Sequence, residues 1–355
     1  APAAILTVLK NPPSMIRAVR SVGRGLTDAS RARGSTPPTT QASERDLPPE
    51  FVAGTVLVVI AVAAFVPGVF ASDMGWLQRL VCALGVGVFG VLFVAVAARI
   101  VGLVGVTSQP TSGITLITLL GVASAFAAFG WKEPAARAAV LTVGTIVAVA
   151  GSKAGDISQD LNTGYLVGAT PAKQQFGQLL GAAVACWVVA GTVLMLGEAY
   201  SFGSKEMPAP QATLMKTVIE GVLSGDLPWG LVLTGGGIAI SAMLCGVSGL
   251  AFAIGVYLPL ASMMAIYLGG CARALVERGR ASGGVDQSNP GVLAAAGLVA
   301  GEGLAGVLVA GLVAVGVVGK SMPTLLPGFS GTTLSMLMLL AVGGLLFRAG
   351  RGKQV

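Results

Sequence analysis

Runs of about twenty apolar residues recur along this chain, each long enough to cross a hydrocarbon core about 30 Å thick as a helix. Lipid offers no hydrogen-bond partners, so a spanning segment must satisfy its own backbone, and a run of this length does so as an α-helix. The runs occupy residues 51–71, 77–101, 114–130, 138–152, 177–197, 229–250, 292–318 and 332–347. A further apolar stretch, 251–270, carries Gly255, Pro259, Gly269 and Gly270, and the pattern predicts a broken or re-entrant helix there. The expected fold class is an all-α polytopic membrane protein with about eight transmembrane helices plus that broken element.

Composition agrees. Charged residues make up 10% of the chain, against about 25% in soluble domains. The mean hydropathy is +0.84. The 52 glycines suit close helix packing in lipid, where hydrophobicity cannot drive helices together. The net charge of +7 reads as loop charge biased to one membrane face rather than a nucleic-acid footprint. With about eight spans, the basic segment before residue 51, Lys153 and Lys173, Arg273, Arg278 and Arg280, and the tail with Arg348, Arg351 and Lys353 all fall on one side. That side is expected to be cytoplasmic and to hold both termini of an inner-membrane protein. The organisation expected is an N-terminal stub and basic linker over 1–50, a transmembrane domain over 51–348 and a tail over 349–355.

Several chemistries are excluded. Histidine is absent, which removes the commonest transition-metal ligand, the Ser-His-Asp triad and histidine proton relays. Cys82, Cys186, Cys245 and Cys271 have no metal-type spacing and read as small buried hydrophobes. Gly235, Gly236 and Gly237 lack the Lys-Ser/Thr ending of a phosphate loop. No cofactor, no metal site and no enzymatic activity are expected.

Segment 155–176 is an anomaly among these runs, carrying Asp156, Gln159, Asp160, Asn162 and Thr163. At helical spacing Asp156, Asp160 and Thr163 share one face, and Ile157, Leu161 and Tyr165 another. Segment 106–113, with Ser108, Gln109, Pro110 and Ser112, parts two apolar runs without a charge. It is either an unwound element with freed polar groups or a tight turn at the surface. Residues 211–223 read as an amphipathic interfacial segment before Trp229.

Five motifs, in order along residues 106–303, carry a family resemblance: the proline break at 106–113, Asp156–Gln175, residues 210–215 with 227–230, Phe252–Leu260 followed by Leu268, Gly269 and Gly270, and Gly297–Gly303. Together they resemble the oligopeptide transporter (OPT) family, bacterial type, over what would be its C-terminal half. Residues 262–266 depart from the proline-containing sequence such a protein would carry there. The resemblance implies a proton-coupled secondary transporter for oligopeptides or metal chelates. Its partners would be the bilayer, a small peptide or chelate, protons and a separate N-terminal half, with no nucleic acid. The alternative is a non-transporting membrane scaffold or partner subunit of a split transporter.

Glu302 lies deep inside an apolar run, so it either serves coupling or substrate contact or bonds a neighbouring helix. Asp156 and Asp160, with Gln159 and Asn162, either carry protons and attract a cationic substrate end or form a gate or folding element at a helix end. Tyr257 and Pro259 either line the path, with Gly255 allowing backbone approach, or serve helix packing.

Overall fold

The structure is a computed structural model that describes residues 46–71, 73–104, 111–204, 207, 209–226, 228–258, 260–277, 290–319 and 328–351. Among these residues eleven helices are found: α1 (Pro49–Phe65), α2 (Trp76–Val104), α3 (Thr111–Ala128), α4 (Pro134–Leu166), α5 (Pro171–Ala199), α6 (Pro210–Ser224), α7 (Trp229–Leu244), α8 (Gly249–Tyr257), α9 (Leu260–Glu277), α10 (Pro290–Ala314) and α11 (Phe329–Arg351). Six of them, α2, α3, α4, α5, α10 and α11, are long and apolar enough to cross a membrane. They coincide with six of the expected spans.

The remaining two expected spans are shorter helices, and local chemistry explains where they stop. α1 ends before Pro67, with Val66 in an extended conformation, as the residue ahead of a proline prefers. α7 ends at Cys245, where the amide of Val247 donates to the Ala242 carbonyl (3.0 Å) and that of Gly246 to Met243 (3.1 Å). Gly246 takes the left-handed conformation this C-cap requires, at φ +81°. The stretch 251–270 is broken between α8, which ends at Tyr257, and α9, which begins at Leu260. Gly255 lies inside α8 and Gly269 and Gly270 inside α9, so these glycines are not breaks. A glycine costs about 1 kcal/mol of helix propensity but keeps its amide donor, whereas a proline removes the donor and clashes with the preceding turn.

The chain divides into two compact units. One holds residues 1–184 and 211–256, and the other 185–210 and 257–355. The division passes through α5, whose first half belongs to the first unit and second half to the second.

The first unit is built on α4. Its buried residues recur every three or four positions, from Ala136 through Val140, Val143, Val147 and Gly151 to Ala154, forming one continuous small-residue face. Leu119 of α3 sits directly over Gly144 of α4, where a β-carbon would collide with it, and Ile114 lies beside Gly151. Phe93, Phe126, Leu116, Val140 and Ile219 fill the core around these contacts. Thr118 is the buried polar residue of this core among those described, and its hydroxyl donates to the Ile114 carbonyl at 2.9 Å. At the α3–α4 turn Trp131 packs edge-on to Phe126 (5.1 Å between centroids) and stacks on Phe129 (4.8 Å).

In the second unit α10 packs on α11 and α11 on α9, and Ala310 and Val313 of α10 are buried. Arg273 pairs with Glu277 at 2.7 Å, and the Arg351 guanidinium lies over the Phe347 ring at 4.5 Å. None of the four cysteines, all among the described residues, is in a disulfide. Cys82 is buried, but Cys186 and Cys245 are exposed and Cys271 is half-buried, so the reading of all four as buried hydrophobes holds for Cys82 alone.

Candidate functional site

The polar segment after the fourth apolar run does not leave its helix. α4 continues without interruption from Pro134 to Leu166, so Asp156, Gln159, Asp160 and Asn162 all occupy its last turns. A capping turn then reverses the chain: Ala169 N–H donates to the Gly164 carbonyl (2.8 Å) and Gly168 N–H to Tyr165 (3.2 Å). Gly168 supplies the left-handed residue at φ +76°. Pro171 opens α5, where its missing amide donor would have had no partner anyway.

Three glutamines on the first turns of α5 then fasten this corner. Gln178 Nε2 donates to the Asp160 carboxylate at 2.7 Å, and Gln174 Nε2 to the Asp160 backbone carbonyl at 3.5 Å. The Gln174 amide lies flat on Gly164, where a β-carbon would collide with it. Gln175 reaches the other way: its Nε2 donates to Asp46 Oδ1 (3.2 Å), and its Oε1 accepts from Leu47 N–H (3.1 Å). One helix start thus holds the end of α4 and the segment leading into α1. Asp160 is exposed and Asp156 half-buried.

The sequence pointed to Asp160 but not to the glutamines that bind it. Their signal was present: three amides at i, i+1 and i+4 opening an otherwise apolar span. A charge-assisted hydrogen bond this short contributes about 1.5–3 kcal/mol when shielded and less when half-exposed. Gln178→Ala and Asp160→Ala are each expected to lower stability by about 1 kcal/mol, and the double variant by less than their sum. Melting curves of the four proteins in detergent check this, and strictly additive losses would show that the pair is not coupled.

The other expected site residues are distributed as follows. Ser112 lies in the first turn of α3, and its hydroxyl accepts from Gln211 Nε2 of α6 at 3.1 Å. Ser108, Gln109, Pro110 and Pro259 lie outside the described residues. Tyr257 is the last residue of α8. Glu302 lies midway along α10, on an exposed stretch of helix between Gly301 and Gly303, where a β-carbon would meet nothing within 4 Å. Asp156, Asp160 and Ser112 fall in the first unit and Glu302 in the second. Among the described residues no cluster of three metal-ligating side chains occurs.

The arrangement is that of a helical membrane protein with polar groups concentrated at helix ends and the Glu302 carboxylate midway along a candidate span. The family model for OPT oligopeptide transporter proteins matches residues 3–313. The chain belongs to the OPT oligopeptide transporter family. The resemblance read from the five motifs is thereby borne out. A Haemophilus influenzae protein provisionally named an oligopeptide transporter is 30% identical over 303 residues, covering 75% of this chain and 48% of that protein. The OPT chain thus spans about half the length of this relative. No solved structure matches it.

Proposed function

We propose that this OPT chain is half of a secondary active transporter that imports oligopeptides or related metal chelates across the inner membrane, driven by protons. The observation that carries this reading is the family match over residues 3–313. In this reading Glu302 is the proton carrier, Ser108, Gln109, Ser112 and Tyr257 contribute to the solute path with Pro110 and Pro259, and Gly255 lets the backbone of α8 approach the solute. Asp156, Gln159, Asp160 and Asn162 then serve a gate at the cytoplasmic end, with both termini on that side.

The second reading is a partner subunit or scaffold that transports nothing alone. One reconstitution separates the two. The chain is placed in proteoliposomes, alone and with a companion equivalent to the missing half of the relative, and labelled tripeptide or ferric chelate is offered under an imposed pH gradient. Gradient-dependent accumulation by the chain alone supports an autonomous transporter. Accumulation only with the companion identifies a split one, and none in either case leaves the scaffold. The substrate accumulated decides between peptide and chelate.

A further inference from the structure

We propose that the polar face of α6 lines a water-filled route through the protein and meets the carboxylate of the transported solute there. The proposal rests on the transporter reading for its solute, but not for its geometry. Two contacts fix the direction of α6. At its start Gln211 bonds Ser112, in the first turn of α3. Nine residues on, Glu220 pairs with Arg137, in the first turn of α4, at 3.5 Å. α3 and α4 are antiparallel, since Ile114 lies beside Gly151 and Leu119 over Gly144, and a short turn joins them. Their first turns therefore lie at opposite ends of the hairpin, about 20 Å apart along its axis at 1.5 Å per residue. From Gln211 to Glu220, α6 itself rises about 14 Å, and the side chains supply the rest. A helix lying flat across one end of the hairpin could not touch both. α6 therefore extends along the hairpin between these two contacts, and because α3 and α4 are long and apolar enough to cross a membrane, the proposal puts α6 at membrane depth rather than at the interface.

Its two faces are assigned the wrong way round for a lipid surface. An interfacial helix presses its apolar stripe into the bilayer. Here Met215, Ile219 and Leu223, four residues apart, are 6%, 1% and 2% exposed and packed in the core of the first unit. The side turned outward carries Thr213, Lys216, Thr217 and Glu220 at i, i+3, i+4 and i+7. A lysine facing hydrocarbon costs about 2.5–3.5 kcal/mol even on insertion scales, more than any one of these surface contacts returns. Water along this face removes that cost. The Glu220 carboxylate is shared by Arg137 (3.5 Å) and Lys216 (4.0 Å), two cations to one anion. The surplus positive charge beside the Thr213 and Thr217 hydroxyls suits a solute carrying a carboxylate.

The test is thiol accessibility in membrane vesicles, on a chain with Cys186→Ser, Cys245→Ser and Cys271→Ser, leaving buried Cys82 in place. Single cysteines are introduced as Thr213→Cys and Thr217→Cys, with Val149→Cys on the exposed apolar face of α4 as the lipid-facing control. A membrane-impermeant cationic methanethiosulfonate is expected to label the α6 positions at least about tenfold faster than Val149→Cys, because the reactive thiolate forms in water and not in lipid. Trialanine should slow that labelling and trialanine amide should not. Labelling as slow as at Val149→Cys overturns the water-lined face. Equal protection by the acid and the amide, or no protection in a chain that accumulates peptide, overturns the carboxylate contact. Uptake in the same vesicles, with and without the companion half, separates the two readings: fast labelling in a chain that accumulates no peptide in either case supports the water-lined face and overturns the transporter reading instead.

Discussion

Glu302→Gln is expected to reduce uptake driven by a pH gradient to background while leaving the protein folded. Glutamine keeps the size and hydrogen-bonding capacity of the carboxyl group but cannot exchange a proton. Glu302 stands midway along α10, among the exposed apolar residues Leu298, Val299 and Leu304. A lone carboxylate at the centre of a bilayer costs about 2.5–3.5 kcal/mol or more, so the group is held there for a reason other than packing. The distinguishing measurement pairs two assays on the same proteoliposomes, with the companion half present if uptake requires it. Gradient-driven uptake should vanish, while exchange of labelled for unlabelled solute, which needs no net proton movement, should persist. Loss of both would assign Glu302 to solute binding, and normal gradient-driven uptake would remove it from coupling.

The largest stability effect is expected at the seam between α3 and α4. Gly144→Val places two methyl groups where Leu119 already lies, and Leu119 is 1% exposed with no room to withdraw. Overpacking of this kind costs about 1–3 kcal/mol, and the upper end is expected because the whole small-residue face of α4 is in register with its neighbours. Gly144→Ala tests the balance more finely. It regains about 1 kcal/mol of helix propensity and still has to displace the Leu119 side chain, so a smaller net loss is expected. Thermal unfolding in detergent reads both variants. Leu119→Ala, destabilising by itself, should recover part of the Gly144→Val loss when the two are combined, and failure to do so would locate the strain elsewhere.

Much of this architecture was legible in the chain, for reasons that are local. Six spans announce themselves because lipid permits no other structure for such runs. The break between α8 and α9 falls in the run where a broken helix is expected, and the helical phase of Asp156, Asp160 and Thr163 survives because nothing after Ser152 stops α4. Local reasoning failed where a residue was given more power than its chemistry has, as when Gly255, Gly269 and Gly270 were read as breaks. It also failed where an outcome depends on distant partners. The stripe of Met215, Ile219 and Leu223 reads the same whether lipid or protein covers it, and only the Ser112 and Arg137 contacts decide. The glutamines of α5 could be seen, but which groups they hold, Asp160 and residues 46–47, depends on how the chain returns on itself.

The length of α4 has a mechanical consequence. At 33 residues it measures about 50 Å against a hydrocarbon core of about 30 Å, so its tip stands well clear of the lipid. A tilt of about 10° within the membrane would swing that tip by about 5 Å, since the arm from bilayer centre to Leu166 is about 30 Å. Hydrogen bonds of 2.7 and 3.2 Å, from Gln178 to Asp160 and from Gln175 to Asp46, cannot stretch that far. α4 is thus a lever with its free end tied. It can lean only if α5 and the lead-in to α1 lean with it, and small motions inside the bilayer become a question of which knot at the tip lets go first.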